Sequence, residues 1–161
     1  MKTLFTTLCP VLFIFISIAQ NTVQLSDFEV LNHTSWKGVL TYKDYQSGEL
    51  SSISTTAQIE FIKEKIIYNI QYTYEPHKNN KSSVTIKKNG TYLGNENVVS
   101  NVLENGTRTI ITTYKGKDNG KNATMYLTRK FNSTSYTETK EVQLERFGER
   151  FVRSTYVLTK L

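Results

Sequence analysis

The sequence predicts an all-β fold, an antiparallel up-and-down meander closed into a barrel of about nine or ten strands. Short segments alternate large apolar with polar residues at a period of two, which is typical of half-buried strands. The breaks between these segments are of hairpin length and rich in Gly, Asn, Asp and Ser. No helical period appears between the predicted strands. A meander of this many strands covers its edges by closing on itself.

Residues 1–19 are predicted to be a secretory signal peptide. Lys2 gives the start a positive charge, the stretch from Leu4 to Ala19 carries none, and small residues stand at Ser17 and Ala19, where a signal peptidase reads. The apolar run is shorter than the roughly 20 residues that a membrane-spanning helix needs. We therefore expect a protein that is not transmembrane and is secreted or periplasmic after cleavage near Ala19.

Composition excludes several kinds of chemistry. The single cysteine, Cys9, lies in the predicted signal peptide, so the mature chain would have no disulfide, thiolate nucleophile or cysteine-based metal site. The net charge of +6 comes from basic residues that are scattered among acidic ones. This distribution favours a solvated surface over a nucleic-acid-binding stripe. We expect no cofactor and no nucleic-acid partner.

The predicted elements follow in chain order. Residues 20–34 are predicted to be a polar segment that forms a short helix or a plug over one barrel end, and residues 35–161 a single barrel domain. Asn89-Gly90 and Asn105-Gly106 predict tight turns, because both residue types tolerate positive φ, and 115–122 is predicted to be the longest turn. The strands are predicted at about 36–45, 50–62, 66–74, 82–87, 91–93, 98–103, 107–114, 123–131, 135–144 and 149–159.

The first predicted strand contains the only tryptophan, and Trp36-x-Gly38 stands at its start. With the meander pattern, this resembles the calycins, which are the lipocalins, the fatty-acid-binding proteins and the nitrobindin-like barrels. Thr34 stands where lipocalins have the glycine of Gly-x-Trp. The resemblance implies a lipocalin-like barrel in which Arg153 packs over Trp36, so that Trp36, Gly38 and Arg153 join the first strand to the last. The chain also resembles uncharacterised exported proteins of Bacteroidetes.

Four tyrosines on predicted inward faces suggest a ligand-lined lumen. Apolar walls with a few hydroxyl groups are typical of small-molecule sites. The alternative is that these tyrosines fill a closed core and pair with one another. The four residues are Tyr42, Tyr68, Tyr72 and Tyr74.

Charged residues also fall on predicted inward faces, at Arg129, Glu138 and Lys140. Buried charges need partners, because isolated ones are very costly. The partner would be an anionic ligand head group or, alternatively, a salt bridge at the barrel mouth. We therefore expect a small, largely apolar ligand with an anionic or polar head.

No catalytic motif is present, and we expect no enzyme. His33 and His77 both lie in predicted loops, and no Gly-x-Ser-x-Gly occurs. One alternative is an interaction module with a filled core, acting through its outer face or the loops 75–81 and 115–122. A second is a hydrolase that uses two inward carboxylates. The strand-borne candidates for that role are Asp44, Glu60 and Glu138.

Overall fold

The computed structural model describes residues 21–145 and 148–161. The predicted signal peptide, residues 1–19, lies outside the described residues. Ten strands form a closed antiparallel barrel in which each strand pairs with its neighbours along the chain and the last strand pairs with the first. The predicted all-β meander barrel is therefore confirmed. The strands are β1 Thr34–Lys43, β2 Leu50–Ile62, β3 Lys65–Tyr72, β4 Asn80–Lys87, β5 Tyr92–Leu93, β6 Glu96–Glu104, β7 Thr107–Asp118, β8 Lys121–Phe131, β9 Ser135–Leu144 and β10 Arg150–Lys160.

The residues that alternate in the sequence lie on the two faces of the barrel wall. In β2 the buried residues are Ile53, Thr55, Ala57 and Ile59, while the residues between them are exposed. Successive side chains of a strand point to opposite faces, so this alternation places one set in the lumen and the other in solvent. The barrel interior is therefore built from alternate residues of each strand.

Of two turns predicted from the sequence, one is found as predicted and the other is much shorter. Asn105 and Gly106 both have positive φ, 48° and 75°, as expected of an Asn-Gly hairpin. The predicted long turn at 115–122 is wrong, because β7 and β8 pair up to Asp118 and Lys121, which leaves only Asn119 and Gly120 in the turn. Backbone pairing needs no apolar residues, so the ladder continues through a polar stretch that carries no alternation.

A 3₁₀ helix at Leu25–Leu31, the plug helix, covers the barrel end where β1 begins. Its Phe28 and Leu31 are fully buried, and the Phe28 ring stacks on Phe131 with 5.7 Å between centroids. Asp27 pairs with Arg108 at 3.2 Å, which fixes the helix to β7. These contacts join the plug helix to the apolar cluster that fills this end of the lumen.

Trp36 belongs to the same cluster and has no exposed surface. Its indole Nε1 donates a hydrogen bond to Thr34 Oγ1 at 2.7 Å, and its ring lies 6.2 Å from that of Tyr136. Gly38, one pleat further on, allows β1 to approach β10 closely, since a Cβ atom there would collide with the Val157 carbonyl oxygen. The first strand thus meets the last through backbone contact.

The predicted packing of Arg153 over Trp36 is wrong. The register pairs Trp36 with Lys160 and Tyr42 with Ser154, so Arg153 and Trp36 lie at opposite ends of the β1–β10 ladder. Arg153 occupies an irregularity in β10, where its guanidinium lies 4.3 Å from the ring centroid of Tyr45 and 3.5 Å from Asp118. It also donates a hydrogen bond to the Lys43 carbonyl oxygen.

The barrel wall is shortest at β5. This strand has two residues, and it pairs with β4 only at Ile86 and Lys87. The pairing of β6 with β7 begins at Thr113, so residues 114–118 of β7 have a strand partner on one side only. Residues 80–84 of β4 face the same gap, since their ladder partners all belong to β3. Among the described helices, none is long and apolar enough to cross a membrane.

Candidate functional site

A cavity of about 290 Å³ lies in the barrel lumen. It lies between the apolar cluster under the plug helix and a second cluster formed by Ala123, Met125, Leu127 and Val142. Most of its wall is apolar, supplied by inward residues of six strands. These residues are Ala57, Ile59, Ile70, Val84, Leu127 and Leu158, among others.

One arginine and two glutamates form the charged part of the cavity wall. Arg129 Nε donates to Glu138 Oε2 at 2.7 Å, while its Nη1 and Nη2 donate to the two carboxylate oxygens of Glu96 at 2.7 and 3.0 Å. The Arg129 side chain is only 8% exposed. Burial in water-poor surroundings disfavours the charge, but the two carboxylates outweigh it and raise the pKa of Arg129 above its usual value. The guanidinium is therefore permanently charged and held on both sides.

The strand register explains how this group assembles. Arg129 of β8 and Glu138 of β9 are directly opposite each other, so their side chains share the inward face of one hairpin. Glu96 comes from the start of β6, and Thr112 of β7 fixes it by donating to Glu96 Oε2 at 2.6 Å. Arg129 also reaches the Thr112 hydroxyl, at 3.1 Å. The four side chains form one hydrogen-bonded network across four strands.

Three tyrosines line the cavity beside this network, Tyr68, Tyr136 and Tyr156. Tyr136 donates its hydroxyl proton to Glu138 Oε2 at 3.0 Å. Burial raises the pKa of Tyr136 well above 10, and it raises the pKa of Tyr68 and of Tyr156 in the same direction. These hydroxyl groups are therefore uncharged at neutral pH, and the net charge of the lining comes from Arg129 and the two glutamates.

The residues that the sequence proposed as a site do not all lie together. Tyr68, Arg129 and Glu138 line the cavity. Tyr42 and Tyr72 lie nearer the opposite barrel end, in a shallower pocket that includes Arg153. Tyr72 contacts a residue of the cavity wall, because its hydroxyl lies 2.6 Å from that of Tyr156.

The inward assignment of Tyr74 is wrong, and Lys140 lies outside the cavity lining. The third strand ends at Tyr72, two residues earlier than predicted, so Tyr74 stands in a turn and is 81% exposed. Lys140 is on the inward face of β9, but its ammonium lies over the ring of Tyr114, 5.8 Å from the centroid. It makes no ion pair with Glu138 among the described residues.

Sequence reasoning missed Glu96, Tyr136 and Tyr156 as parts of the site. The turn residues at 94–97 indicate a break in the chain, which hid the fact that Glu96 starts a strand. A signal for Tyr136 was present, because it shares the inward face of β9 with Glu138. Tyr156 has a weaker signal, because the irregularity in β10 changes the side-chain alternation there.

The acidic side chains of the site act as hydrogen-bond acceptors. Among residues 21–145 and 148–161, no three His, Cys, Asp or Glu side chains are grouped as metal ligands would be. Asp44 and Glu60 do not line the cavity, and the two carboxylates of its lining are those of Glu96 and Glu138. In every hydrogen bond that these two make within the described chain, the carboxylate accepts.

Comparisons with known proteins identify no family. No protein-family model matches the sequence, and no curated protein matches it. Among solved structures, the chain is similar to a protein of unknown function from the DUF3598 family of Nostoc punctiforme PCC 73102, with 15% identity and a TM-score of 0.43 over 88% of this chain. The chain spans 50% of the length of that structure.

Proposed function

We propose that this protein is an exported, non-enzymatic barrel that holds a small, largely apolar ligand in its lumen. The observation that supports this function is the cavity of about 290 Å³ with an apolar wall and one compact polar group. Small-molecule sites are typically concave and apolar, with a few placed polar groups, and start at about 300 Å³. The ligand would be small, because the space lies at the lower end of that range.

The short β5 would give such a ligand its route into the lumen. An outer groove beside β5 shares Val84, Leu93 and Glu96 with the cavity lining. The wall on either side of this groove is formed by the singly paired stretches 80–84 and 114–118. Local opening requires few broken hydrogen bonds where strands are paired on one side only. Ligand exchange would therefore occur here, away from the plug helix.

A lipocalin-like character fits this function. The resemblance to the calycins rests on Trp36-x-Gly38 and on the meander, and it implies a barrel that encloses a ligand. Export rests on the signal peptide predicted at residues 1–19, which lies outside the described residues.

The two carboxylates are better suited to binding than to catalysis. A glycoside hydrolase needs one carboxyl group that donates a proton and another that acts as a base or nucleophile. Glu96 and Glu138 instead accept hydrogen bonds from the same guanidinium, and Thr112 and Tyr136 donate to them as well. The pair is thus occupied in holding Arg129.

Titration with N-phenylnaphthylamine, an uncharged probe that fluoresces in apolar surroundings, tests the proposed function. We expect saturable binding to one site per chain, in the cavity of about 290 Å³. A probe that gives no saturable signal would overturn lumen binding. That result would favour the alternative, an interaction module that acts through its outer face.

A further inference from the structure

The charge of the cavity wall indicates the chemical class of ligand head group. Glu96, Arg129 and Glu138 are the charged residues of the lining, which therefore carries two negative charges and one positive charge. The other polar groups of the wall are Asn80, Ser82 and the three tyrosines. A group that enters this space meets a net negative charge in surroundings where water screens it little.

Arg129 offers little to an anion. Each of its three nitrogens already donates to a carboxylate oxygen of the protein, at 2.7 to 3.0 Å. An anionic head group would have to displace Glu96 or Glu138, or lie beside both of them. Either arrangement places like charges together in a poorly screened site.

Glu138 retains capacity to accept. A carboxylate has about four lone-pair positions, and Glu138 uses Oε2 for both Arg129 and Tyr136. No hydrogen bond from the described residues reaches its Oε1. The side chain is 22% exposed and lines the cavity, so a donor in the lumen can reach it.

The aromatic wall favours the same kind of group. Tyr68, Tyr136 and Tyr156 border the cavity together with Glu138. The face of a tyrosine ring attracts cations, more strongly where water is excluded. Lys140, the neighbouring cation on the inward face of β9, lies over Tyr114 and outside the lining.

We propose that the lumen selects a small apolar ligand with a protonated amine as its head group, bound between Glu138 and the cavity tyrosines. This inference rests on the proposed function, because it names the class of ligand for the same cavity. The sequence suggested an anionic or polar head group, and this proposal replaces the anionic option with a cationic one.

Displacement of N-phenylnaphthylamine by three ligands of equal chain length tests the charge preference. The ligands are hexylamine, hexanol and hexanoate at neutral pH, where the first is a cation and the last an anion. We expect hexylamine to displace the probe at a concentration at least about tenfold lower than hexanol, since a charge-assisted hydrogen bond is stronger than a neutral one. We expect hexanoate to be the weakest of the three.

Glu138→Gln tests the residue assigned to the amine. We expect this variant to lose the preference for hexylamine over hexanol in displacement of the probe. The matched control is Glu141→Gln, which removes an acid from the outward face of the same strand, where it pairs with Arg150 at 2.7 Å. The control should keep the preference of the wild type.

The outcomes separate the two proposals. If the probe binds and hexanoate displaces it as well as hexylamine does, the amine assignment is overturned and the proposed function stands. An unchanged preference in Glu138→Gln would also overturn the assignment. If neither the probe nor any of the three ligands binds, both proposals fail. The ligand series on the wild-type protein decides the charge preference even where the variant folds poorly.

Discussion

At the scale of single residues, Arg129 determines which charged side chains stand together in the cavity wall. A buried guanidinium without partners would be very costly, and here Glu96 and Glu138 supply them from two different strands. Inside the wall, Glu96, Glu138 and Thr112 accept hydrogen bonds from four of the five N–H donors of Arg129. A ligand of the proposed kind would therefore meet the remaining acceptor positions of the glutamates and the tyrosine rings.

The buried tyrosines predict a loss of stability at alkaline pH. The pKa of Tyr68, Tyr136 and Tyr156 is raised in the folded state, so the protonated form is favoured there. The stability from this source is complete below the unfolded value of about 10 and is lost as pH rises above it toward the folded value. The free energy of unfolding should fall by up to about 1.4 kcal/mol per pH unit for each such tyrosine.

Tyrosinate absorbance, followed together with circular dichroism, measures this effect. We expect these three of the ten tyrosines in the sequence to stay protonated until the barrel unfolds. Full ionisation of all ten near pH 10, with the strand signal unchanged, would contradict the burial of these hydroxyl groups.

The sequence allowed two of the three charged residues of the cavity wall to be predicted. Arg129 and Glu138 are in one hairpin with a short turn, so local alternation placed both on one face. Glu96 could not be found in that way, because its contact with Arg129 spans 33 residues of sequence and depends on how β6 meets β7. Tyr74 was misplaced because alternation does not show where a strand stops.

At the scale of elements, the plug helix and β1 close one end of the barrel. Phe28, Leu31 and Trp36 are all buried in one cluster there. The alternation in β1 predicted that Trp36 would point inward, whereas the aromatic ring beside its indole, that of Tyr136, comes from a distant strand. The register between β1 and β10 places Arg153 far along the ladder from Trp36, and the alternation alone does not predict this register.

Trp36→Ala tests this closure. We expect the free energy of unfolding to fall by ~3–5 kcal/mol, because the substitution removes a fully buried indole and leaves a cavity under the plug helix. Chemical denaturation measures the change. Val39→Ala, on the exposed face of the same strand, is the matched control and should cost less than about 1 kcal/mol. Equal effects for the two variants would show that Trp36 is not a core residue.

The strands beside the short β5 have backbone edges that are paired on one side only. Their singly paired edges could recruit strands from other molecules, which native proteins commonly prevent with lysines. Lys81 of β4 and Lys115 and Lys117 of β7 are exposed at this gap. These side chains allow the wall to stay short at the place where the outer groove meets the cavity.

At the scale of the whole molecule, the plug helix covers one end of the barrel, and the wall is short on one side, at β5. The apolar cluster under the plug helix gives rigidity, and the cavity lies between this cluster and the second one around Met125. The short β5 gives the cavity a neighbouring groove. This arrangement is consistent with the small-molecule exchange proposed above.

The most direct test of lumen binding is the affinity of N-phenylnaphthylamine for a variant with a filled cavity. Ser82→Phe places a large ring at a lining position of β4, whereas Gln71→Phe places the same ring on the exposed face of the neighbouring strand β3. We predict that Ser82→Phe lowers probe affinity at least about tenfold and that Gln71→Phe leaves it near the wild-type value. Equal affinities for the two folded variants would contradict binding in the lumen.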